Sequence, residues 1–159
     1  MTSSPKRCLL SAALTIALAG ATGAALAQDK ETVVKDRQAL MKEQGKDIGA
    51  VKAYLDGKAD QAAAEAGATG LTQTTRKIPA AFPPGTNAPS PAGKYAPKPE
   101  IWTDWDKFLG AQKQAAAKAD ALLAAVKGGS KDAIRTVFAD LGKNGCGNCH
   151  TNFRETIKN

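Results

Sequence analysis

Residues 130–154 read SKDAIRTVFADLGKNGCGNCHTNFR, and this stretch decides both the class of fold and where its chemistry lies. Gly128 and Gly129 end whatever helix precedes them, and Ser130 is a natural N-cap for a new one, with Ile134, Val137, Phe138 and Leu141 on its buried face. The stretch then reaches Cys146-Gly147-Asn148-Cys149-His150, two thiols three residues apart with a histidine directly after the second. Thiols at that spacing lie about one helical turn apart, so both can meet the edge of one planar ligand. His150 is the only histidine in the chain.

This is the haem-attachment pattern. Each thiol adds to one vinyl group of the same porphyrin, and the adjacent imidazole swings beneath the ring to offer a nitrogen to the iron. Three rival readings are weaker. A structural zinc site needs four ligands, and without the leader discussed below only two Cys and one His remain. A redox-active dithiol belongs at the start of a helix after a strand, not near the end of an all-helical pattern. A disulfide across three residues of a helix is geometrically poor and leaves the histidine unexplained. Cys146 and Cys149 are therefore read as the covalent attachments of one haem c, and His150 as an axial ligand of its iron.

Working back from this stretch, Trp102, Trp105, Leu109, Gln112, Ala116, Ala119, Leu123 and Val126 recur at alternating spacings of three and four, the pattern of a bundle seam. That third helix starts near Pro99 and Glu100, where proline suits the first turn and a carboxylate the positive end of the helix dipole. Seven of the eight prolines lie between Pro79 and Pro99, which excludes a regular helix or a central strand there and leaves a long crossover, either a surface linker or a flap over a cofactor. A second helix spans Asp60 to Ile78. It is rich in Ala and Thr, interrupted by Gly67 and Gly70, and reads as the weakest of the set. The first helix runs from Lys30 to Asp56 and ends at Gly57. Val34, Met41, Ile48 and Leu55 recur in it every seven residues, with Val33, Leu40, Val51 and Tyr54 widening the stripe. No segment alternates with period two. The expected fold is all-α: an antiparallel four-helix bundle with a long Pro-rich crossover between its second and third helices.

Lys6 and Arg7, an uncharged and mostly apolar run from Leu9 to Leu26, and Ala25-Leu26-Ala27 before Gln28 make residues 1–27 a secretory signal peptide. Cys8 leaves with it. The mature domain, 28–159, is expected in the periplasm without a stable membrane anchor. Cleavage removes two of the 22 basic residues and none of the 15 acidic ones, so the mature chain carries 20 against 15 and a net charge of +5. No dense basic run is present, which argues against nucleic-acid binding and leaves periplasmic redox proteins as the expected partners.

The motif placed at the C-terminal end, followed by Thr151-Asn152-Phe153-Arg154 and preceded by four helices, resembles the cytochrome c′ family. Arg37-Gln38-Ala39-Leu40-Met41-Lys42, Phe82-Pro83-Pro84-Gly85-Thr86 and Pro99-Glu100-Ile101-Trp102 resemble further landmarks of that family. The resemblance implies that Met41, the only methionine outside the leader, stands where the low-spin cytochrome c-556 type places a second axial iron ligand. Arg37 and Arg154 match basic positions close to the haem, although either can be a solvated helix charge. Met41 lies on an apolar stripe, so a plain core role stays open. With ligation the chain would be a non-enzymatic one-electron carrier; without it, a five-coordinate cytochrome c′ that binds nitric oxide or carbon monoxide. A peroxidase is remote, for want of a second histidine. The family also allows a homodimer through the first two helices.

Overall fold

The computed structural model describes residues 29–87 and 94–157. The expected signal peptide and the middle of the Pro-rich crossover lie outside them.

Helix α1, Lys30–Leu55, begins where the Asp29 carboxylate accepts the backbone N–H of Thr32 at 3.2 Å. Gly57, at φ 74°, turns the chain into α2, Gln61–Lys77, whose N-cap Asp60 accepts from Ala63 N at 2.8 Å. After a 3₁₀ turn at Pro79–Ala81 and the crossover come a short strand β1, Tyr95–Pro97, and a one-turn helix α3, Glu100–Thr103. Then follow α4, Trp105–Gly128, and α5, Lys131–Asp140, capped by Ser130 as expected. The chain stays helical through a π-helical segment, Leu141–Gly147, into α6, Asn148–Phe153, and ends in β2, Arg154–Thr156. α1 packs chiefly on α2, α2 on α4, and α4 on α5 and its continuation, which makes the four-helix bundle.

The second helix is not weak. Its small residues let it approach α1 closely: a Cβ on Gly67 would stand 2.6 Å from the Asp47 carbonyl oxygen and 2.8 Å from Ala50 Cβ. Ala64, Ala68 and Leu71 are buried beside that crossing. Its threonines satisfy themselves locally, Thr75 Oγ1 donating to Leu71 O at 2.8 Å. Small size here is a packing device, which an inventory of large apolar residues misses.

The third helix departs from the expected seam. Asp104, at φ −133° and ψ 57°, breaks it into α3 and α4. The buried residues are Ile101, Phe108, Ala111, Gln112, Ala115, Ala119, Leu122 and Val126, so Leu109, Ala116 and Leu123 sit one residue off the buried line. The break leaves Trp102 and Trp105 half-buried, and Trp102 Nε1 donates to the Phe82 and Pro83 carbonyls, both at 3.1 Å. Two strands too short for a period-two signal were also unexpected. β1 and β2 pair antiparallel, Ala96 opposite Glu155, and join the end of the crossover to the chain just after the motif.

The Gly67 contact generates a test. Gly67→Ala should destabilise the protein by about 1–3 kcal/mol through overpacking. Gly49→Ala, where nothing lies within 4 Å, should stabilise it by about 0.5–1 kcal/mol through helix propensity. Denaturant unfolding of the two variants measures both signs.

Candidate functional site

The motif is seated by the helical run that carries it. Gly145 allows the π-helical segment to lie on α4: a Cβ there would be 2.9 Å from Leu141 Cδ1 and 3.6 Å from Ala115 Cα. Asn148 Nδ2 donates to Gln114 Oε1 of α4 at 3.1 Å, and Lys118 of α4 pairs with Asp140 at the end of α5. A wider turn of this kind is common at functional sites, because it re-aims the side chains that follow.

Cys146 and Cys149 are free and half-buried, and they face two different apolar clusters. Cys146 packs on the aliphatic one, which contains Val51, Leu71, Leu122, Ile134 and Leu141. Cys149 packs on the other, made by Ile78, Phe82, Ile101, Phe108, Ala111 and Phe153. Phe108 meets Phe82 edge-on at 5.1 Å and Phe153 at 5.3 Å between ring centroids. Met41 of α1 packs on this second cluster too, as do Trp102 and Trp105. Phe82, Pro84, Trp102 and Trp105 line an open cleft of about 400 Å³.

Burial pushes both thiols up, Cys149 to about 11 with the neighbouring Cys146 adding to the effect, so both stay protonated. That is the reverse of the lowered thiol pKa a dithiol catalyst needs. Burial, helped by the positive charge of Arg154, lowers the His150 pKa, which favours the neutral imidazole that can bind a metal. Cys146, Cys149 and His150 supply three ligands, one short of the four that a structural zinc site needs. Two protonated thiols one turn apart, a neutral imidazole and an aromatic-lined cleft fit a covalently held haem.

The two arginines lie in different settings. Arg37 is buried in α1 and holds the start of the crossover: Nε donates to Ala81 O at 2.8 Å, and Nη2 donates to Thr86 O at 3.0 Å and to Thr86 Oγ1 at 2.6 Å. Its guanidinium lies 4.3 Å from the Phe82 ring centroid, and burial draws its pKa down to about 10, so it keeps its charge at neutral pH. The start of the crossover, from Ala81 to Thr86, is therefore pinned to α1. Arg154 is exposed on β2, with its guanidinium 4.1 Å over the Tyr95 ring. Phe108, at the centre of the aromatic cluster, and Gln44, one turn from Met41 on α1, are residues that the sequence pattern did not single out. Phe108 lay one residue off the expected seam, and Gln44 is polar on a stripe read for its apolar members.

A protein-family model described as Cytochrome C′ matches residues 32–154. Cytochrome c-556 of Rhodopseudomonas palustris is 31% identical over 147 residues, covering 89% of this chain and 96% of its own. Cytochrome c′ of the same organism is 31% identical over 136 residues, covering 83% and 88%. The crystal structure of cytochrome c′ from Thermochromatium tepidum superposes with a TM-score of 0.71 at 28% identity, covering 79% of this chain and 96% of that one.

The bonds of Arg37 set an expectation for stability. Arg37→Met should lower it by about 1–3 kcal/mol, since the Ala81 and Thr86 oxygens lose charged donors. Arg76→Met removes an exposed pair with Asp120 at 2.8 Å and should cost under about 1 kcal/mol. Urea unfolding compares the two, and equal losses would show that Arg37 does not hold the crossover.

Proposed function

We propose that this chain, which belongs to the cytochrome c′ family, is a periplasmic one-electron carrier whose haem c is held by Cys146, Cys149, His150 and Met41. Members of the family carry covalently attached haem c and fall in the electron-carrier and gas-binding class. The observation that carries the finer reading is that Met41 of α1 and Cys149 of α6 pack on one aromatic cluster. A thioether and the residue next to His150 thus face the same interior region from opposite helices.

The haem supplies one reversible electron at its iron. The residues supply the rest. Cys146 and Cys149 would fix the ring to the C-terminal helical run, His150 would offer the iron a neutral imidazole nitrogen, and Met41 would offer it a thioether sulfur. A His/Met pair raises the reduction potential by favouring ferrous iron. The buried rings of Phe82, Phe108 and Phe153 would give the haem an apolar wall, and Arg37 keeps Phe82 in place by pinning Ala81 and Thr86. Arg154 adds positive charge on the His150 side.

The periplasmic location rests on the expected leader. Among the described residues no helix is long and apolar enough to cross a membrane. Periplasmic redox proteins are the proposed partners, met by a monomer or a homodimer. The second reading, a gas-binding cytochrome c′, is favoured only if Met41 does more packing than ligating, since relatives of both kinds match at 31% identity.

Absorption spectra of wild type and Met41→Ala separate the two. The wild-type iron should be low-spin in both oxidation states and take up carbon monoxide slowly. Met41→Ala should be high-spin, bind the gas readily and have a lower potential. A wild type that is already high-spin, with a spectrum unchanged by the substitution, rejects the carrier reading.

A further inference from the structure

The inward face of α1 carries residues 37, 41, 44, 48, 51 and 55, at alternating spacings of four and three. Arg37 and Val51 are buried on it. Met41 packs on the aromatic cluster shared with Cys149, and Ile48 and Leu55 pack on the aliphatic cluster shared with Cys146. Gln44 stands on this face between Met41 and Ile48, about one helical turn from each.

Its Nε2 is buried and has no hydrogen-bond partner among the described residues. The buried glutamine of α4 is satisfied, Gln112 Nε2 donating to Thr75 O at 2.9 Å, and so is the exposed Gln61, whose Nε2 donates to Val126 O at 3.0 Å. A buried donor left unpaired is unfavourable, and a leucine would fill the position without that cost. Asp47 Oδ2, one turn on, is also unpartnered, but its carboxylate lies against α2, where a Cβ on Gly70 would meet it at 2.7 Å. Gln44 therefore offers a donor on the face that carries Met41, and the polypeptide does not use it.

We infer that Gln44 is a hydrogen-bond donor on the Met41 side of the iron, its carboxamide N–H donating to the outer atom of a small anion or diatomic that replaces the thioether. This rests on the haem site proposed above. It adds a ligand-holding capacity to a carrier: with haem bound, a ligand in place of the thioether would give Gln44 Nε2 the acceptor it lacks. Ligands whose outer atom accepts a hydrogen bond well are then favoured over those whose outer atom accepts poorly.

The test uses cyanide on the ferric holoprotein and carbon monoxide on the ferrous holoprotein, in wild type, Gln44→Leu and Gln44→Glu, each with and without Met41→Ala. Gln44→Leu should weaken cyanide about threefold to tenfold, the range of one hydrogen bond, and shift the C–N stretch of bound cyanide. Carbon monoxide affinity should change less than about twofold, the poor acceptor gaining little from the bond. Gln44→Glu, which replaces a donor with an acceptor of like charge to the anion, should weaken cyanide further. It also serves as the second variant if Gln44→Leu does not mature. Equal changes for both ligands, or unchanged cyanide affinity with an unmoved stretch, would overturn the inference. Failure of the underlying site is separate: wild type would lack covalent haem, or Met41→Ala would leave its spectrum unaltered.

Discussion

The close seating of the C-terminal helical run on α4 is the constraint on which the site depends. Gly145 has no side chain, so the π-helical segment can lie against Ala115, and the turn that follows presents Cys146 and Cys149 to different sides of the interior. The β1–β2 ribbon fastens the other end of the same run, with Lys98 N donating to Phe153 O at 3.0 Å. Between these two anchors the motif has little freedom. A covalent ligand needs such a rigid base, because both bonds to it would leave from four consecutive residues that span the junction of the π-helical segment and α6.

Around that base the core divides by chemistry. The aliphatic cluster, built from α1, α2, α4 and α5, is an ordinary bundle interior. The aromatic cluster gathers the crossover, α3, α4 and α6 at the Met41 end of α1. Buried Arg37 joins α1 to the crossover, its donors going to backbone carbonyls and a threonine hydroxyl. A buried cation bonded in that way keeps its charge, and it fixes Phe82 and the chain around it.

The four helices and the attachment motif were legible because their signals are local. Seven-residue recurrence from Val34 to Leu55, the cap at Ser130 and the Cys146–His150 pentapeptide each need no knowledge of the rest of the chain. The misreadings have tertiary causes. The seam in the third helix was drawn through Trp102 and Trp105, but the break at Asp104 changes the phase, so Phe108 and Leu122 are buried in place of Leu109 and Leu123. The small residues of α2 looked like weakness because close approach to α1 appears only once Gly67 and Asp47 are seen together. Three paired residues cannot show a period-two pattern, which hid the ribbon at Ala96 and Glu155.

The central claim is one haem fixed at Cys146 and Cys149, with its iron between His150 and Met41. Iron K-edge X-ray absorption on the purified holoprotein, oxidised and reduced, addresses it directly. One sulfur atom bound to iron alongside nitrogen is expected in both states. Iron coordinated by nitrogen or oxygen alone in either state would contradict it.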